Sequence, residues 1–316
     1  MPVNNSQTLG LHSTLQNYYD GKLLLEMEKR LVYYQNGQRK ALPEHNGRTV
    51  EFWRYAPFAP ITTALSEGVV PDGQTLAMEK VIASVETYGG YVSTTDVLTL
   101  SGVNTETNYL VDLMAKQGAL TLDHLVRDVI SGGSAAIYAG GKAGRAEVGQ
   151  SAVLTIQDIR KAVRRLEKLG APKFNRGGMG YYKAIIGPDA KYSLQSDPLW
   201  EDKASYQQAE QIENGELGKL FGVIFIESTE AKVFSGVGNA GADLGATVVF
   251  GEDAYGVVDL GTVGDTPVRT IIKPLGSAGS SDPLDQIATV GWKVNGFTSV
   301  ILNENWLVRI EHGIEA

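Results

Sequence analysis

The 316-residue chain contains no cysteine, which excludes disulfides, thiolate metal sites and thiol catalysis and leaves the redox compartment open. Histidine is scarce too. His12, His45, His124 and His312 are scattered, none with a neighbour at metal-ligand spacing, so neither a zinc site nor a histidine-centred triad has support. No run of 18 apolar residues occurs, and the opening Met1-Pro2-Val3-Asn4-Asn5 lacks the basic and apolar regions of a signal peptide. The expectation is a soluble protein without membrane contact, made in the cytoplasm. An excess of positive charge is also missing: 28 basic residues against 36 acidic ones give a formal charge of -8. That excludes tight wrapping of nucleic acid by a generally basic surface, though not a local basic patch.

What is present is ordinary globular apolar content, 43%, and an excess of glycine, 37 residues against a usual share of about 7%. Many turns, bulges and close backbone approaches are therefore expected. The length suits two modest lobes, or one domain with large insertions.

Residues 1 to about 18 are polar and unpatterned and read as a draped arm. From Tyr18 to Gln35, Leu23, Leu24, Met27, Leu31 and Tyr34 recur at helical spacing, and Asn36-Gly37 stops the helix. Between Pro43 and Met78 there is no helical period, but Val50, Phe52, Trp53, Tyr55, Phe58 and Ile61 make the stretch apolar. Two arms of about 15 residues at roughly 3.3 Å each would reach about 50 Å, beyond the core of a globule whose radius of gyration is about 20 Å. Such a ribbon folds back on its own chain or lies on a neighbouring one. Ordering it costs about 1–2 kcal/mol per residue in backbone entropy, more than its own apolar burial at about 25 cal/mol per Å² returns. It is therefore expected to gain its order from a partner surface, and alanine at Phe52 and Trp53 together is expected to spare the core.

The alternation around Val81, Ala83 and Val85, resumed at Tyr91-Val92, predicts one long strand kinked at Gly89-Gly90. A helix is expected from about Asn104 to Ser131, with Val111, Met114, Ala115, Gly118, Leu122, Leu125, Val126 and Val129 as its stripe. At 1.5 Å per residue it is about 42 Å long, a spine. Six glycines between 132 and 149 read as a mobile linker into a second lobe. There Thr155 and Asp158 sign a helix start, Ile156, Ile159, Ala162, Val163, Leu166 and Leu169 form its apolar side, and Gly170 ends it. Arg160, Lys161, Arg164 and Arg165 lie toward its outer side, a solvated face more readily than a phosphate contact. Tyr182–Ile186 reads as a buried strand, 197–214 as helix and irregular connection, and 222–234 as a strand pair. Finally, 288–302 and 306–310 alternate as a long antiparallel hairpin, with the strand at 81–98 and the spine as its partners.

Gly236-Val237-Gly238-Asn239-Ala240-Gly241 matches G-x-G-x-x-G, with Asp259 18 residues beyond Gly241. A dinucleotide site needs a helix opening at the third glycine, and here a β-branched run, Thr247-Val248-Val249, follows instead. The glycines are expected to serve loop geometry. No nucleophile elbow, HExxH pair or Walker loop is present, and carboxylate pairs such as Glu26/Glu28 and Asp282/Asp285 read as solvated charges. No catalytic constellation, metal site or cofactor site is expected.

Several segments together resemble tailed-bacteriophage major capsid proteins of the N-four type. They are 47–55 (GRTVEFWRY), 65–71 (LSEGVVP), 88–96 (YGGYVSTTD), 186–190 (IGPDA), 254–260 (AYGVVDL), and Asp282-Pro283-Leu284-Asp285-Gln286 through Val290-Gly291-Trp292-Lys293. The match spans roughly 45 to 313, in order. The resemblance implies an α+β chain of the Hong Kong 97 capsid fold: an N-terminal arm (1–46), an extended loop (47–80), a peripheral domain with a long spine helix (81–149 and 262–316), and an inserted axial domain (150–261). It implies a structural, non-enzymatic protein that self-assembles, as hexamers and pentamers, into an icosahedral head around double-stranded DNA. The location implied is the virion, with portal and scaffolding or decoration proteins as partners. Phe52, Trp53, Arg54, Tyr55, Phe58, Ile61 and Glu67 are the expected inter-subunit contacts, and Lys22, Lys29, Arg30, Lys116 and Arg127 the sparse basic groups facing DNA. Some relatives crosslink a loop lysine to an asparagine. Lys80 is the only lysine in the loop, and no local motif carries that chemistry over to it. A nanocompartment shell of the same fold and a dinucleotide-binding enzyme using Gly236–Gly241 are the alternatives.

Overall fold

The computed structural model describes residues 23, 27, 30–42, 48–55, 58–64, 68, 70, 73–96, 106–176, 178–197, 200, 216–260, 268–277 and 282–314. The arm before Leu23, the histidines at 12 and 45, Lys22, Leu24, Glu26, Glu28, Lys29, Glu67 and nearly all of the expected helix at 197–214 lie outside these residues.

The helix Glu106–Ser131 (α2) is the axis on which the rest is laid. It starts within two residues of the expected position. Its stripe is buried at Val111, Met114, Ala115, Leu122 and Val126, and Ile130 joins it. Gly118 sits in the stripe because the Met27 methyl and the Trp292 ring pack directly on its backbone.

Against α2 lies a three-stranded antiparallel sheet ordered β13-β14-β4, formed by Val268–Lys273, Ile287–Phe297 and Glu86–Thr95. Val290, Trp292 and Val294 face the helix and are buried, while Ile287, Lys293 and Asn295 face away, as a period of two requires. The long strand expected from 81 breaks at Val85, not at Gly89-Gly90. Before the break, Met78–Ser84 (β3) pairs with Thr49–Tyr55 (β2) as a separate ribbon; after it, β4 pairs with β14. Gly89 and Gly90 stay in the strand because the Trp292 carbonyl and Gln117 leave no room for a Cβ.

The larger sheet is ordered β5-β16-β11-β7-β9-β8: Ala136–Tyr138, Leu307–Gly313, Leu244–Phe250, Met179–Ile186, Val223–Glu227 and Glu216–Leu220. Its alternation divides two cores. Ile185, Val248, Phe250 and Leu307 point to the core shared with α2. Ala184, Ile186, Val249, Val308 and Ile310 point to a second core covered by the helices Ile156–Lys168 (α3) and Pro188–Gln195 (α4). Thr155 caps α3 through Asp158 as expected, and Gly170 ends it at φ +68°. Leu169, expected in the apolar stripe, is exposed, since it stands at the C-cap where the chain turns away.

Two further expectations are corrected. The glycine-rich 132–149 is not a linker, because its Ala136–Tyr138 pairs in parallel with Arg309–Glu311. The 288–310 hairpin does not form either. After Ser299–Ile301 (β15) the chain passes a short turn and crosses to the larger sheet, where β16 pairs with β11 along seven residues. Both faces of β16 are buried, so it fits the interior of that sheet and not a one-sided hairpin.

Candidate assembly surfaces

The β2–β3 ribbon has two faces set by its register. Val50/Ala83, Phe52/Val81 and Arg54/Glu79 share one face; Glu51/Ile82, Trp53/Lys80 and Tyr55/Met78 share the other. The first face folds onto its own chain. Phe52, 3% exposed, packs over Gly256 of Tyr255–Val258 (β12), where an added Cβ would lie 2.5 Å from the ring. Arg54 reaches the Leu302 carbonyl at 3.4 Å and pairs with Glu79. Phe52 is therefore unavailable to a neighbour, which corrects its assignment as an inter-subunit contact and the expectation that its loss would spare the core.

The second face is open. Trp53 is 49% exposed, Tyr55 61%, Met78 51% and Ile82 55%, and beyond the strands Phe58, Ile61, Val70 and Leu76 are exposed as well. Four apolar side chains on one side of a two-stranded ribbon form a patch of the kind that marks a protein contact. Lys80 is drawn in among them, paired with Glu51 and 5.6 Å from the centre of the Trp53 ring.

A second surface lies on the face of the β13-β14-β4 sheet turned away from α2. Cross-strand register lines up Ile271, Gly291 and Tyr91 in one row and Arg269, Lys293 and Gly89 in the next. Glycines at 89 and 291 floor a groove of about 520 Å³ walled by Tyr91, Ile271, Ile287 and Thr289, with Lys273 and Lys293 at its rim and, among the described residues, no carboxylate in its lining.

The N-terminal segment is fixed to the spine by one buried carboxylate. Asp123 on α2 accepts hydrogen bonds from the Tyr33 and Tyr34 amides at 2.8 and 3.1 Å, at the start of the short helix Val32–Gln35 (α1). This explains why the expected continuous helix to Gln35 breaks at Leu31: the amides that would continue it are turned to Asp123. Burial pushes Asp123 up to about 6, against the pull of those amide donors. The folded state thus holds the proton more tightly than the unfolded chain. The resulting stabilisation is full below pH 3.8 and is lost as pH rises through about 6, a change of about 3 kcal/mol. Asp123→Asn keeps an acceptor oxygen and removes the charge, so it is expected to flatten the pH 4–7 stability profile in urea titrations. An unchanged profile would show that another group titrates there.

At the other end of α2, Arg309 donates to the Ser131 and Gly133 carbonyls and so caps the helix. Its Nε bonds Glu311 at 2.8 Å, and Arg145 meets the same carboxylate through two nitrogens at 2.6 and 2.5 Å. Both guanidinium groups lie over the Phe234 ring. Glu311 is fully buried, and this triad holds the glycine-rich segment onto β16.

Of the expected DNA-facing groups, Lys22 and Lys29 lie outside the described residues. Arg127 is engaged by Asp128 and the Glu230 carbonyl, whereas Arg30 and Lys116 are exposed. His124 is partly exposed and lies 2.8 Å from the Glu230 carboxylate. His312 is buried against Thr247, and burial lowers its pKa, leaving a neutral structural imidazole. Among the described residues no group of His, Asp and Glu could hold a metal ion, and no helix is long and apolar enough to cross a membrane.

The Gly236–Gly241 loop contains one 3-10 turn, Asn239–Gly241, and opens no α-helix. It leads through extended Ala242 into β11. Gly236 and Gly241 have φ of +67° and +77°, and at Gly238 a Cβ would strike the Val148 carbonyl at 2.7 Å. Asp259, the acid of that fingerprint, instead receives the Tyr34 hydroxyl at 3.3 Å. Calorimetry with NAD, FAD or ATP is expected to show no stoichiometric micromolar binding; such binding would restore the enzyme alternative.

No protein-family model matches the chain, and no curated protein matches it. Solved structures do. The capsid of Ralstonia phage GP4 superposes with a TM-score of 0.74 at 15% identity, over 89% of this chain and 87% of that one. The capsid of cyanophage Pam1 gives 0.65 at 14%, over 88% and 89%, and Mycobacterium phage Che8 gives 0.57 at 14%, over 89% and 91%. The chain has the Hong Kong 97-type fold of these capsid proteins.

Proposed function

We propose that the chain is a major capsid protein, a structural and non-enzymatic subunit that tiles the icosahedral head of a tailed bacteriophage around double-stranded DNA. The observation that carries this reading is the pairing of a capsid fold across nearly nine-tenths of the chain with a ribbon whose one face is anchored in its own core while the other is open and apolar. A folded subunit gains nothing from exposing Trp53, Tyr55, Met78 and Ile82; a neighbour covering them removes that surface from water.

In this reading 1–46 is the arm, 47–80 the extended loop, 81–149 and 262–316 the peripheral domain and 150–261 the axial domain. Trp53, Tyr55, Phe58 and Ile61 meet the next subunit, with Arg54 tying the ribbon to the Leu302 carbonyl of its own subunit and Glu67 following in the same loop. Hexamers and pentamers build the shell in the virion after synthesis in the host cytoplasm. Portal and scaffolding or decoration proteins complete it. With a net charge of -8, the shell meets DNA only through sparse cations such as Lys22, Lys29, Arg30 and Lys116. Light scattering and negative-stain microscopy of the purified chain test the reading. Closed particles of megadalton mass are expected, and a persistent monomer or dimer under all assembly conditions would contradict it.

A further inference from the structure

Helix α3 carries Arg160, Lys161, Arg164, Arg165 and Lys168, all exposed. At 100° per residue these five fall within an arc of about 140°, opposite the side that buries Ile156, Ile159 and Leu166. Lys161 is paired with Asp158 at 2.8 Å, and Arg160 lies over the Phe221 ring at 5.3 Å. Among the described residues Arg164, Arg165 and Lys168 have no ion-pair partner. The pairs Arg160/Arg164, Lys161/Arg165 and Arg164/Lys168 are like charges four residues apart, which destabilise a helix, and only the last turn is favoured by the helix dipole. In a chain of net charge -8, this face is costly to an isolated subunit and suited to an anionic occupant.

The same sequence holds a stretch of opposite sign. Residues 201–216 contain Glu201, Asp202, Glu210, Glu213 and Glu216 against the single Lys203. The stretch is bounded by Trp200, which packs edge-on to Phe225, and by β8, an edge strand. Helix α3 packs on β16, β11 and β5, and Arg160 at its start reaches across to Phe221 in the turn after β8.

We infer that the basic face of α3 in one subunit is the docking surface for the acidic 201–216 stretch of the adjacent subunit. The inference rests on the shell reading. Identical subunits that each carry a net negative charge repel, and a head-to-tail contact that sets a cationic helix on one copy against an anionic stretch on the next replaces repulsion by attraction while letting a ring close.

The test uses two full-length variants. One reverses the helix, Arg164→Glu with Arg165→Glu; the other reverses the stretch, Glu210→Lys with Glu213→Lys. Particle yield from each alone is expected to fall by about tenfold or more, and an equal mixture of the two is expected to restore most of it, because the variants can then alternate fully around a six-membered ring and at all but one contact of a five-membered one. Thermal melting of the unassembled subunits checks that both are folded, and Arg164→Gln with Arg165→Gln replaces the helix reversal if that variant is not. Wild-type yield from each variant alone would overturn the inference. So would restoration only when all four changes sit in one chain, since the contact would then lie within a subunit. Wild-type particles formed in parallel separate this failure from failure of the shell reading.

Discussion

Replacing Trp53 and Tyr55 together by alanine is expected to abolish closed particles while leaving the subunit folded. Both side chains stand on the open face of the ribbon, 49% and 61% exposed, so their removal takes little from the subunit's own packing. The melting temperature should move by no more than about 2–4 °C, the shift that about 1 kcal/mol produces in a large domain. In an assembled shell the same two rings would be buried. Each aromatic side chain covers about 150–250 Å², worth several kcal/mol at about 25 cal/mol per Å², and the loss would recur at every subunit contact. Phe52→Ala is the contrasting control. One position away, its ring is buried over Gly256, so the cost should be about 3–5 kcal/mol in the subunit itself. If Trp53→Ala/Tyr55→Ala unfolds the subunit or leaves particle yield untouched, the two-faced ribbon does not act as described.

The second large effect is expected at Glu311. The carboxylate is fully buried and holds Arg145 and Arg309, and Arg309 in turn caps the carbonyl end of α2. Glu311→Ala would leave Arg309 buried without its counter-charge, at a cost of about 3–5 kcal/mol, read as a shift in the denaturant midpoint. Arg145→Ala should cost less, because Arg145 is partly exposed and the pair Arg309–Glu311 survives. Equal losses from the two changes would show that the triad's energy does not centre on the buried carboxylate.

The elements with strong local signals were legible in the sequence. The spine stripe from Val111 to Val129, the Thr155–Asp158 cap and the glycine stop of α3 rest on interactions within a few residues, and all three are found. The failures lie where a distant residue decides. Nothing local to Arg30-Leu31 announces that Asp123, 90 residues away from Tyr33, takes the amides that would prolong the helix. The destination of β16 was hidden in the same way. Trp306, Val308 and Ile310 alternate equally well for a hairpin, and only the burial of Arg309 and Glu311 on the other face shows a strand enclosed on both sides. At the ribbon, periodicity placed Phe52 and Trp53 in one strand, where opposite directions follow from the pleat, yet which face met the core depended on β12, 200 residues further on. The open face and its Trp53 and Tyr55 were visible as an apolar excess; the groove over Gly89 and Gly291 was not, since its glycines meet only through the β4–β14 register.

Hydrogen exchange measured on free subunits and on assembled particles tests most directly the claim that this chain builds a shell through its ribbon. Amides at the open end of the ribbon, 58–64 and 73–77, lie beyond the paired strands; they are expected to exchange fast in the free subunit and to become strongly protected in particles, while those of α2, β11 and the core-anchored 49–55 are protected in both. Equal protection of that open end in the two states would place the ribbon wholly within its own subunit and contradict the account.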